Sequence, residues 1–190
     1  MSSPQGVTIR PLRSEDFHDL SRGLAHMYDE LAAGESVWIT LRHVPPSEAD
    51  YRKWFDRLLD GMRTGESITN VAQVDSRAVG HCTIERARPG PTTEQSHVGE
   101  LGILVQKGHR GTGIGARLLE RSLDEARQKF DIVYLTVWSK NVEAQRLYRR
   151  FGFTLCGHFP HTLKRNGQYF DEDRMFLALT DPPGRAGAKR

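Results

Sequence analysis

Cysteine is scarce in this 190-residue sequence: Cys82 and Cys156 are the only two, they stand far apart, and neither has a His or Cys at metal-ligand spacing beside it. That excludes a disulfide framework and argues against a zinc site, so no metal is expected. Long apolar runs are absent as well. No stretch approaches the roughly 18 residues that span a bilayer, and the opening Met1-Ser2-Ser3-Pro4-Gln5-Gly6 lacks the apolar core of a secretory signal. The expectation is a cytoplasmic protein with no membrane partner. Nor is there an excess of charge of one sign: 27 Lys and Arg stand against 24 Asp and Glu, a net charge of +3, too balanced for the basic footprint of a nucleic-acid binder. Internal repeats and low-complexity tracts are missing too. What remains is a globular composition, 37% apolar with 18 glycines, and a length that suits one domain. That domain is expected over residues 1–181, with 182–190 reading as a disordered tail.

Val7-Thr8-Ile9-Arg10 reads as a first strand. Ser14, followed by Glu15 and Asp16, supplies an N-cap and an acidic first turn for a helix whose apolar face is Phe17, Leu20, Leu24, Met27 and Leu31. Beyond Pro45-Pro46, Ser47 and Asp50 have capping-box spacing, and Tyr51, Trp54, Phe55, Leu58, Leu59 and Met62 then mark a second amphipathic helix. The period changes next: 68–74 and 79–84, broken at Asp75-Ser76-Arg77, read as an antiparallel hairpin. Residues 87–95 are turn-forming and polar, which predicts a mobile loop bordering a substrate entrance, ahead of a strand over 97–105. A glycine-rich segment, 108–115, opens a helix lined by Ile114, Leu118, Leu119, Leu123 and Ala126. The β-branched and aromatic run 132–138 completes a βαβ crossover, so its strand should lie parallel to 97–105. A short helix over 141–150 follows, and Asn166-Gly167 between 153–164 and 168–179 is a strong hairpin signal. The order is β-α-α-β-β-β-α-β-α-β-β.

Gly111, Gly113 and Gly115 alternate at a helix start, where backbone N–H groups free of side chains and the helix dipole favour an anion, most simply a pyrophosphate. Lys107, His109 and Arg110 stand by as complementary charge. The plain alternative is a helix start with a flexible approach. Gly111-x-Gly113-x-x-Ala116 also fits the dinucleotide fingerprint, with Asp131 about 20 residues on. That fingerprint needs its acidic residue after the second strand, whereas Asp131 precedes it, and only one βαβ unit is present. A Walker loop fails because no Gly-Lys-Ser/Thr ends the segment.

These residues resemble the GNAT acyl-CoA N-acyltransferases over nearly the whole chain. The signature of a Gln or Arg, two residues, Gly, one residue, then Gly or Ala stands here as Arg110-Gly111-Thr112-Gly113-Ile114-Gly115. A second pattern typical of the family is Asn141-x-x-Ala144-x-x-x-Tyr148-x-x-x-Gly152-Phe153. The resemblance implies an α/β (α+β) fold: a mixed, mostly antiparallel sheet flanked by helices, whose two central parallel strands splay to admit the pantetheine of acetyl-CoA. It further implies that backbone groups of Leu104 and Val105 bind pantetheine and thioester. The N–H groups of Arg110, Gly111, Thr112, Gly113, Ile114 and Gly115 would hold the pyrophosphate, and Asn141 and Ala144 would flank the pantetheine. The family often forms homodimers, and the terminal hairpin offers an exposed edge for one.

Acetyl transfer to an amine needs an uncharged nitrogen, a stabilised oxyanion and a protonated sulfur leaving group. An amine with a pKa of about 8–10 is mostly protonated at neutral pH, so a base within reach is useful. Glu100, between Gly99 and Gly102 in the strand facing the thioester, is the candidate base; a solvated or salt-bridged carboxylate is the other reading. Tyr148 lies two turns beyond Asn141 on one helical face, and by resemblance it protonates the coenzyme A thiolate; otherwise it is a core tyrosine. Asn141 also suits a helix cap. His81 and His97 receive no role. Trp38, Trp54, Tyr28 and Phe55 read as core or pocket wall, and Tyr169, Asp171, Glu172 and Asp173 are positioned to receive a cationic amine or to form a solvated strand edge. The expected activity is acetyl transfer from acetyl-CoA to a primary amine, with a free amino acid or other small amine favoured because Gly167-x-Tyr169-x-Asp171-x-x-x-Met175 is similar to members acting on such acceptors. A peptide acceptor, at protein N-termini or lysines, a polyamine or an aminoglycoside, and a non-catalytic acyl-CoA sensor stay open.

Overall fold

In the computed structural model, which describes residues 6–87 and 93–180, the expected alternation of periods becomes twelve elements. β1 (Thr8–Pro11) leads through a short 3-10 turn, Ser14–Asp16, into α1 (Phe17–Ala32). The helix start departs from expectation: Ser14 opens the turn, and Asp16 is the residue that fixes it. Its carboxylate accepts the Arg13 backbone N–H at 2.8 Å and two bonds from Arg10 at 2.7 and 2.8 Å. α2 (Glu48–Thr64) has the expected capping box, Asp50 N–H donating to Ser47 Oγ at 3.2 Å and Ser47 N–H to Asp50 Oδ2 at 3.0 Å.

β2 (Ser67–Val74) and β3 (Arg77–Arg86) form the first hairpin, followed by β4 (Val98–Val105), α3 (Ile114–Ala126), β5 (Ile132–Trp138) and α4 (Val142–Arg150). β6 (Thr154–Arg165) and β7 (Gln168–Ala178) form the second. Both hairpin turns place two residues at positive φ, Asp75 and Ser76 at 46° and 65°, Asn166 and Gly167 at 50° and 77°. These are the mirror-image two-residue turns that match strand twist. Most of the loop expected over 87–95, and the tail expected from 182, lie outside the described residues.

The seven strands make one sheet in the order β1-β2-β3-β4-β5-β7-β6, antiparallel throughout except for β4 beside β5. Each face is covered by helices. Leu118, Leu119 and Leu123 of α3 pack on Val133, Leu135 and Met175, while Phe17, Leu20, Phe55 and Leu58 of α1 and α2 pack on Val71 of the other face. Among the described residues, no helix is long and apolar enough to cross a membrane.

Candidate active site

β4 and β5 pair at three positions only: Val98 with Ile132, Gly99 with Val133, and Glu100 with Tyr134. Beyond Glu100, β4 stays with β3 as far as Val105 and β5 stays with β7 as far as Trp138, so the central strands diverge. The opening leads into a cavity of about 1310 Å³ walled by both strands, the glycine-rich segment and α4. Among the described residues, one edge of β4 from Leu101 to Val105 has no strand partner, an arrangement that accepts an amide-bearing chain as a surrogate strand. Leu104 and Val105 both line the cavity.

Glu100 occupies the last rung before the divergence. Tyr134, its opposite number, donates its hydroxyl to Glu100 Oε2 at 2.8 Å, and the carboxylate borders the cavity. Alternation along β4 sets Glu100 and Leu104 on the α1–α2 face, where Leu104 packs with Met27 and Val37. Leu101, Ile103 and Val105 face α3.

The glycine-rich segment forms the far wall. Gly111 and Gly113 sit at φ of 74° and 87°, and a Cβ at either would meet nothing within 4 Å, so the loop surface above them is open. Ile114 is buried in the core and the Thr112 hydroxyl donates to His109 O at 2.6 Å, which leaves backbone N–H groups as what the segment can offer a ligand. Gly115 lines the cavity beside Leu147. Two charges differ from expectation. Arg110 binds Glu30 through two bonds at 2.7 and 3.0 Å and gives Nε to Val105 O at 2.9 Å, while Lys107 pairs with Glu35. Both cations tie the loop to α1 and the turn after it rather than standing free for an anion. His109, Arg117 and Arg150 also line this end of the cavity; the latter two were not anticipated.

α4 supplies the opposite side. Asn141 Oδ1 accepts the Ala144 N–H at 3.2 Å, and both residues line the cavity, so capping and cleft-lining coexist. Two turns on, Tyr148 borders the same cavity, 7% exposed, its ring 5.8 Å from that of Phe153. Burial, with a smaller contribution from nearby Cys82, pushes its phenol pKa up, so the group keeps its proton at physiological pH. Tyr148 belongs to the α3-side core and Glu100 to the other face; the divergence of β4 and β5 is what lets one cavity reach both. His81, by contrast, is buried edge-on to Trp54 and pushed down to about 4, which keeps its imidazole neutral.

At the remaining end, Trp38, Ile39 and Thr40 from the segment between α1 and α2 meet Trp138 and Glu172. Trp138 lies 5.8 Å from Trp38 and 5.1 Å from Phe170, and its indole N–H donates to Thr40 Oγ1 at 3.3 Å. Of the four hairpin residues expected near an amine, only Glu172 lines the cavity. Asp173 is buried against Gln145 and His158, and Asp171 accepts the His161 N–H at 2.9 Å. Period-2 alternation could have separated these neighbours, since Glu172 stands opposite Trp138 and Asp173 does not.

A split parallel pair, an open glycine turn at a helix start and a helix lining the cleft accompany a match of residues 28–153 to the acetyltransferase (GNAT) family. The chain belongs to the GNAT acetyltransferase family. It is 31% identical over 169 residues to an L-amino acid N-acetyltransferase of Escherichia coli (strain K12), covering 87% of this chain and 93% of the relative. It is 26% identical over 198 residues to spermidine N(1)-acetyltransferase of the same strain, covering 97% and 96%. A Salmonella typhimurium acetyltransferase solved with its cofactor acetyl-CoA shares the fold, with a TM-score of 0.77 at 20% identity over 93% of this chain and 96% of that one. In this GNAT enzyme, the free edge of β4, the turn at 110–115 and the first turn of α4 all line one cavity.

Proposed function

We propose that this GNAT enzyme transfers the acetyl group of acetyl-CoA directly to the primary amine of a small molecule, with a free amino acid the favoured acceptor. The observation that carries this reading is the divergence at Glu100, which puts a carboxylate and the Tyr148 phenol on two sides of one cavity. Acetyl-CoA is a co-substrate here. The N–H groups of 110–115 would hold its pyrophosphate, the backbone of Leu104 and Val105 its pantetheine and thioester, and Asn141 and Ala144 the other side of the pantetheine arm.

Each requirement of the transfer then has a group. Glu100, directly or through one water, takes the proton that an ammonium must lose before its nitrogen can attack; such a base contributes about 10²–10⁴ in rate. Unpaired backbone N–H groups on β4 are suited to the oxyanion of the tetrahedral intermediate. Tyr148, held in its protonated form by burial, gives its proton to the departing sulfur. The relatives acting on amino acids and on spermidine support a small amine as acceptor.

Isothermal titration with acetyl-CoA, followed by a thiol-release screen across amino acids, polyamines, aminoglycosides and short peptides, tests the reading. Binding with release from a small amine is expected. Release with peptides alone would move the acceptor to protein N-termini or lysines, and absent binding would overturn the donor assignment.

A further inference from the structure

One exposed cation beside the cavity has no role in the chemistry above: Arg174 is not itself among the residues that wall it, but Thr136 opposite it and Glu172 two positions before it are. Arg174 stands opposite Thr136 of β5, and Glu172 opposite Trp138. Opposed residues of an antiparallel pair share a face, as do residues two apart on a strand. Arg174, Glu172, Thr136, Trp138 and Tyr134 therefore lie on one side of the sheet, and it is the side of Glu100, whose carboxylate Tyr134 binds at 2.8 Å.

The Arg174 guanidinium lies over the Tyr134 ring, 4.9 Å from its centroid, and 5.8 Å from that of Phe159. Phe159 can fold over to it because residue 157 is glycine: a Cβ there would stand 3.2 Å from the Phe159 ring. Ring stacking orients a guanidinium without neutralising it, and leaves its N–H fork for a planar anion. Among the described residues no carboxylate pairs with Arg174. The other cations nearby are differently placed. Arg165 lies over Trp138 but donates to the carbonyls of Val37 and Ile39, and Lys140 lies over Phe170.

We propose that Arg174 receives the carboxylate of the acceptor, which makes the substrate class an α-amino acid with a large uncharged side chain. This deepens the small-amine reading and rests on it. Tyr134 touches both charges of the site, its ring under the guanidinium and its hydroxyl on Glu100, so a zwitterion set across it meets a cation at its carboxylate and an anion at its ammonium. Trp38 and Trp138 form the apolar wall beside it. A polyamine would bring a second cation against Arg174.

The test uses two pairs that differ only by a carboxylate: L-phenylalanine with phenethylamine, and L-methionine with 3-(methylthio)propylamine. Wild-type protein should favour the amino acid of each pair in kcat/KM. R174Q should lose about 10- to 100-fold on the amino acids, mainly through KM, and leave the two amines unchanged. R174K should fall between, because it keeps the charge and loses the fork. An equal loss on acids and amines would mark a structural residue and overturn the assignment, as would no loss on either. Titration of the same amino acids into coenzyme A-loaded protein separates the two readings. Binding to wild type that R174Q abolishes, without thiol release, would sink the transferase reading and keep Arg174; binding that R174Q leaves intact, or no binding of either amino acid to wild type, would sink the Arg174 proposal even where small amines are acetylated.

Discussion

Replacing Tyr148 by Phe removes one oxygen and tests the acid role directly. The side chain is 7% exposed, packs on Phe153 and shares a core with Leu101 and Met175, so phenylalanine keeps the ring contacts and volume that matter to the fold. Stability should change by no more than about 1 kcal/mol. Turnover should not be spared. Without the hydroxyl, sulfur leaves as an unprotonated thiolate, and a general acid is worth about 10²–10⁴ in rate, or about 2.7–5.4 kcal/mol at about 1.36 kcal/mol per decade. Because burial holds the phenol above its ordinary pKa, Tyr148 is protonated throughout about pH 6–9, and the defect should be flat across that window. Initial thiol-release rates at saturating acetyl-CoA give kcat, and calorimetry gives the acetyl-CoA Kd. The expected pair is a kcat lowered at least about 100-fold and a Kd within about threefold of wild type. Wild-type turnover in Y148F would refute the acid role, and a loss confined to acetyl-CoA affinity would make Tyr148 a packing residue.

Glu100→Gln should lower kcat/KM by about 10- to 100-fold at neutral pH, with the deficit shrinking as pH approaches the amine pKa of about 8–10; a deficit constant with pH would assign Glu100 a structural part. Glu30→Gln removes the partner of Arg110, which is 40% exposed and can rehydrate, so the stability loss should be only about 1–2 kcal/mol. Its acetyl-CoA Kd should rise several-fold in calorimetry as the loop loosens, and an unchanged Kd would show that the pair does not hold the loop in its binding form. His158 is raised above its usual 6.5 by its hydrogen bond to Asp173. Its contribution to stability is therefore complete below that value and fades as pH climbs through the higher folded-state pKa. Thermal melts of wild type should decline over that rise more steeply than those of His158→Asn, and identical slopes would refute the coupling.

Element order, the parallel crossover and the Asn166-Gly167 turn were legible because each rests on local chemistry: hydrophobic period, capping spacing, and an Asn-Gly pair at positive φ; the first hairpin was legible too, but Arg77, expected in its break, opens β3 and leaves a two-residue Asp75-Ser76 turn. The capping part of Asn141 was equally local. What the residues did not disclose depends on distant partners. Nothing near Arg110 announces that Glu30, eighty positions away, will take its charge, so the same arginine reads as an anion site in one dimension and as a strut in three. The aromatic end of the cavity joins Trp38, Trp138 and Phe170 from three separate segments. Ser14 was misread because the Asp16 carboxylate turns back onto the Arg13 N–H and the Arg10 guanidinium, closing a 3-10 turn ahead of the helix rather than letting Ser14 cap it.

The three-rung contact between β4 and β5 also divides the polypeptide in a simple way. Strands β1 to β4 with α1 and α2 all precede it, strands β5 to β7 with α4 all follow it, and only the stretch carrying α3 passes from one side to the other. The sheet is thus two contiguous half-sheets with a single covalent tie, a seam that an acyl-CoA arm would bridge like mortar. A chain cut beside α3 would yield two fragments, each keeping its own hairpin, with only the three-rung contact and the packing of α3 and the loops left to hold them together.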